Sequence, residues 1–131
     1  MELLNWWAIL LATALAFVLG GIWYGPVFGK AWIEALGKTE DEIEPSPQPF
    51  IISFFTALLT AIVLAWLVVE LGVVGALDGA ILGLVMGVGF IATAMASDSA
   101  FCGWPLKLFL IQSGYRVTYA IIMGAVLGGW Q

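Results

Sequence analysis

The chain contains no histidine and a single cysteine, Cys102. Those two shortages remove whole classes of chemistry. Without imidazole there can be no Ser/His/Asp triad, and Cys102 has no imidazole to activate it as a nucleophile. Structural and catalytic zinc sites draw on Cys and His, so a metal centre of that kind is excluded, and a lone cysteine closes no intramolecular disulfide. No Gly-rich loop ends in Lys-Ser/Thr, the pattern that cradles nucleotide phosphates. Enzymatic activity, cofactors and metals are therefore not expected. Cations are scarce too: four Lys and Arg stand against nine Asp and Glu, for a net charge of −5. That balance argues against a nucleic-acid partner. Charged residues make up only 10% of the chain and hydrophobic ones 63%, far outside the composition of a soluble domain.

What fills the chain is four apolar runs, at residues 3–23, 50–69, 79–97 and 108–130. A helix needs about 20 apolar residues to cross a hydrocarbon core about 30 Å thick. The expectation is an all-α membrane protein: one transmembrane domain over 1–131, a bundle of four helices at about 3–24, 50–70, 78–98 and 105–130, with the lipid bilayer as its partner. The first run is preceded by Glu2 and by no Lys or Arg, and it is longer than a usual signal-peptide core, so it reads as a helix and not as a cleaved leader. Between the first two runs, segment 27–49 divides in two. Apolar residues around Lys30 and Glu34, spaced i,i+4, predict a short helix in the membrane interface that stops near Gly37. Thr39 and Glu42 match a capping box for one further turn, and Pro45, Pro47 and Pro49 predict an extended connector.

Orientation follows Lys and Arg in short loops. Lys30, Lys38 and Lys107 fall in loops 25–49 and 98–107, which share a side in a four-helix chain. That side is expected to be cytoplasmic and both termini outside, in a multi-pass protein of the cell inner membrane. Tryptophans prefer the headgroup level and divide the same way, with Trp6, Trp7, Trp66 and Trp130 on the outer belt and Trp23, Trp32 and Trp104 on the inner one.

Small residues recur every fourth position in three runs: Ala8, Ala12, Ala16 and Gly20; Gly75, Gly79, Gly83 and Gly87; Ala120, Gly124 and Gly128. In lipid, such seams let helix backbones approach closely. They fit packing within one chain, and they equally fit a homo-oligomer if one chain leaves a seam unused.

Three runs carry no charge, and the fourth carries one, Arg116. A cation in hydrocarbon is costly, so its surroundings matter. Helical spacing sets Gln112, Arg116 and Tyr119 on one stripe, with Tyr115 beside it. Three readings stand. Arg116 snorkels to the headgroups; or it pairs with Asp98, in the Ser97-Asp98-Ser99 stretch expected at the end of the third helix; or it faces a polar cavity and attracts an anionic group, with Gln112, Tyr115 and Tyr119 as hydrogen-bonding neighbours and Thr93 and Ser97 on the opposite wall.

Asn5-Trp6, Gly20-Gly21-Ile22-Trp23-Tyr24-Gly25-Pro26, Phe28-Gly29-Lys30-Ala31-Trp32, Gly114-Tyr115-Arg116 and Met123-Gly124-Ala125 together resemble the small bacterial membrane proteins grouped as domain of unknown function 1761. The resemblance implies a short four-helix membrane protein and brings no catalytic residues. It directs attention to Trp23, Tyr24, Pro26, Lys30 and Trp32 as a second wall of the vestibule that Arg116 faces. The functional expectation is binding or transport of a small solute, anionic by the sign of Arg116; the alternative is a scaffolding membrane subunit assembled through its glycine seams. Proton-coupled cation exporters of similar size rely on an embedded carboxylate, and none of the four runs holds one.

Overall fold

A computed structural model describes residues 4–38 and 47–130. Among these the chain is helical, with no strands: α1 Trp6–Ile22, α2 Gly29–Ala35, α3 Gln48–Glu70, α4 Ala76–Met86, α5 Thr93–Cys102 and α6 Leu106–Gly129. π-Helical segments at Trp23–Val27 and Gly87–Ala92 prolong α1 and join α4 to α5, giving four continuous stretches long and apolar enough to cross a bilayer. The outer faces are greasy: Leu77, Phe90 and Phe101 are among many large apolar side chains left exposed, a surface suited to lipid and not to water.

Asn5 shows how the ends are tied. Its side-chain oxygen accepts from Ala8 N–H, capping α1, while its Nδ2 donates to the Trp130 carbonyl at 2.9 Å. The start of α1 and the end of α6 are thus joined, and we call this end A. At the opposite end, B, Lys107 and Glu34 meet at 3.2 Å, which places α2 and the start of α6 together. The two loops that carry the cations do share a side.

Small residues decide the packing. α4 lies on α6 so closely that a Cβ at Gly79 would enter the Gly124 carbonyl, and one at Gly83 the Ala120 carbonyl. At end A, Gly75, with φ of 101°, donates its N–H to Gly128 C=O at 2.9 Å. On the other side of α6, Ala8, Ala12 and Ala16 of α1 are fully buried in one core with Ala57, Ala61, Ala65 and Val68 of α3 and Tyr119, Met123 and Leu127 of α6. All three predicted seams are occupied within one chain.

Two local expectations change, and two local features are new. α3 starts at Gln48 with Pro49 in its first turn, where no intrahelical N–H is needed, so the prolines lead into the helix instead of holding an extended connector up to it. The third span continues to Cys102, which puts Ser97, Asp98 and Ser99 inside α5 and not at its end. Pro26 lacks the N–H that an α-turn would aim at Ile22; the widened turn is closed instead by Phe28 N–H donating to Trp23 C=O at 2.8 Å. After Gly87 the four-residue register of small side chains meets Ile91, and close approach to α6 ends. The predicted capping box at Thr39 and Glu42 and the connector residue Pro45 lie outside the described residues.

Candidate functional site

The segments that carry the family resemblance are far apart in sequence and converge near end B. The π-turn at the end of α1 swings Trp23 and Tyr24 against α6. Trp23 Nε1–H donates to the Ile111 carbonyl at 2.9 Å, and its ring lies 4.8 Å from that of Phe28 and 6.4 Å from that of Tyr115. Gly114 makes room for this indole, since a Cβ there would come within 3.1 Å of it. Tyr115 reaches across to α1 and donates its hydroxyl to Ala16 C=O at 2.9 Å. Gly20 clears its path, because a Cβ at that position would sit 2.9 Å from the phenol oxygen. Tyr24 packs edge-on against Tyr115 at 5.4 Å and against Trp32 of α2 at 5.0 Å, with its hydroxyl 3.4 Å from Gln112 Oε1. The buried Trp32 Nε1–H finds no acceptor among the described residues.

Arg116 completes the cluster. Its guanidinium lies 5.8 Å from the Tyr115 ring centroid and 5.9 Å from that of Tyr119, and Nη1 donates to the Tyr119 hydroxyl at 3.3 Å. Tyr119 is itself buried and packs edge-on against Tyr115 at 5.0 Å. The tyrosines thus offer the cation π-faces and one neutral oxygen. A guanidinium has five N–H donors, and no carboxylate among the described residues forms an ion pair with this one.

Of the residues expected at the site, Trp23, Tyr24, Gln112, Tyr115, Arg116 and Tyr119 come together. Thr93, Ser97 and Asp98 do not. They are exposed on α5 and make no hydrogen bond or ion pair with Arg116; the Thr93 hydroxyl is turned back onto the Gly89 carbonyl at 2.8 Å. The reason lies in the end of the glycine seam, since α5 leaves α6 once Gly87 is passed. Lys30 and Pro26 are likewise exposed. Phe28 and Gly114 belong to the cluster although periodicity alone gives no sign of them, and only the resemblance brings them into view; Gly20, by contrast, already stood in the small-residue seam of α1.

Toward end B the third span and the start of α3 are more exposed, although Phe50 and Phe54 pack edge-on against Phe17 of α1. Residues 48–56 of α3 and 88–102 of the third span contain no buried residue. Further from end B, between α3, the Gly87–Ala92 segment and α6, lies a groove of about 310 Å³, with Leu59, Thr60, Val63, Phe90, Ile91 and Ala120 in its walls.

No curated protein and no solved structure matches this chain. The family described as protein of unknown function DUF1761 matches residues 7–128, a stretch that takes in all four spans but for the outermost residue of the first and of the last, and both halves of the aromatic cluster, and the chain belongs to that family.

Proposed function

We propose that this chain is a non-enzymatic, multi-pass protein of the cell inner membrane that binds a small anionic group at Arg116 and holds or passes it through end B. The observation that carries the reading is the state of the guanidinium. It is the one charge in the four apolar runs, it is partly buried, and among the described residues its hydrogen-bond acceptor is a neutral phenol in place of a carboxylate. A cation so placed keeps most of its charge available, and a low-dielectric setting strengthens any anion bound there. End B faces the cytoplasm in this reading, because Lys30, Lys38 and Lys107 cluster there.

Thermal stability and liposome flux over a panel of small anions test it. Stabilisation of the parent by at least one anion is expected. Arg116→Gln should weaken that effect about tenfold or more, as loss of a charge-assisted contact does, and Arg116→Lys should restore only part of it because the fork geometry is gone. An arginine that merely snorkels would leave both measurements unchanged on substitution, and that result would defeat the reading.

A further inference from the structure

The groove and the arginine lie one helical turn apart on α6, since Ala120 lines the groove and Arg116 precedes it by four residues. Arg116, Ala120, Met123 and Leu127 follow one another along a single stripe of α6. Ala120, Met123 and Leu127 are buried in a core to which α1 and α3 both contribute, and Ala120 lines the groove together with Leu59, Val63 and Leu64 of α3. Arg116 stands one turn nearer end B than Ala120. The groove walls are hydrocarbon apart from Thr60, and the Thr60 hydroxyl is engaged by its own helix, donating to Thr56 C=O at 2.8 Å. A polar solute would find no hydrogen-bond partner there and would lose those it had in water. A methylene chain loses nothing by entering. At about 310 Å³ the groove also reaches the size of a small-molecule pocket, about 300 Å³ and upward.

We infer that the site takes an anionic membrane phospholipid, with one acyl chain in the groove lined by Leu59, Val63, Phe90 and Ile91 and the headgroup phosphate on Arg116. The inference rests on the anion-binding reading above and names its ligand class. Charge complementarity selects the occupant: a zwitterionic or neutral lipid fills the groove equally well but brings no net negative charge to a cation with no carboxylate partner among the described residues. Residues 48–56 and 88–102, toward end B, contain no buried residue.

The test uses the full chain in a nonionic detergent. Lipid retention by native mass spectrometry and the thermal midpoint are read with phosphatidylglycerol, with phosphatidylcholine of the same chains, and with glycerophosphoglycerol, the headgroup without chains. Phosphatidylglycerol should be retained about tenfold better than phosphatidylcholine, the preference expected of one charge-assisted contact. Arg116→Gln should abolish that preference. Val63→Trp, which fills the groove from an exposed wall position, should lower retention of both lipids, while Lys107→Gln should change neither. Equal retention of the two lipids by the parent, or unchanged retention in Val63→Trp, would overturn the inference. Equal stabilisation by glycerophosphoglycerol alone would overturn it while leaving the anion reading standing. Indifference to both lipids and to every small anion would overturn the two together.

Discussion

From Ala76 to Met86 the third span lies backbone to backbone on α6, whereas over residues 88–102 the same span, still helical, has no buried residue. The contrast does not come from hydrophobicity, which favours neither half in lipid. It comes from side-chain size in register. Gly79 and Gly83 let two carbonyl ladders touch, Gly87 meets Val117, and the next position in that register is Ile91. A small change in residue volume thus separates a locked half of the bundle from an open one. The candidate site lies where the second begins. Aromatic rings replace glycine as the packing element there, joining α1 to α6 through Trp23, Tyr24 and Tyr115.

The sharpest way to break this comparison is to place the same side chain in both halves. Gly83→Leu drives a Cβ into the Ala120 carbonyl and should cost about 3 kcal/mol or more, the upper range of overpacking. Gly89→Leu points into open space and should stay within about 0.5 kcal/mol of the parent. Thermal and chemical unfolding in detergent measure both. Equal losses would mean that glycine register does not divide the span.

A smaller effect probes the aromatic half. Gly20→Ala crowds the Tyr115 hydroxyl and should destabilise by about 1–2 kcal/mol. In a Tyr115→Phe background, where the oxygen is absent, most of that loss should vanish, although Tyr115→Phe alone costs about 1 kcal/mol for its bond to Ala16. A double-mutant cycle reads the coupling directly, and simple additivity would show that Gly20 is small for some other reason. The smallest effect belongs to Lys107 and Glu34, both largely exposed. Lys107→Ala should change stability by no more than about 0.5 kcal/mol. A larger loss would show that end B is held by this ion pair as well as by its aromatic rings.

Much of this was legible in advance because membrane constraints are written locally. Four apolar runs of spanning length require four helices, since hydrocarbon leaves the backbone no other partner. Small residues at every fourth position mark the contact faces, and the one cation in the runs marks a point that must be accounted for. The sequence also placed Gln112, Arg116 and Tyr119 on one stripe, because helical spacing alone decides that.

What only the tertiary structure decided is which surfaces meet. Spacing made Asp98 a plausible partner for Arg116, but whether two charges on different helices meet depends on crossing geometry, and the Gly87–Ala92 segment carries α5 away from α6. Three seams read one at a time left open a second copy of the chain; that each finds its complement inside one chain depends on the relative rotation of four helices. The groove beside Ala120 is the clearest case. It is a space left between α3 and the third span because each is drawn toward a different partner, and a space has no residues of its own to leave a pattern in the sequence.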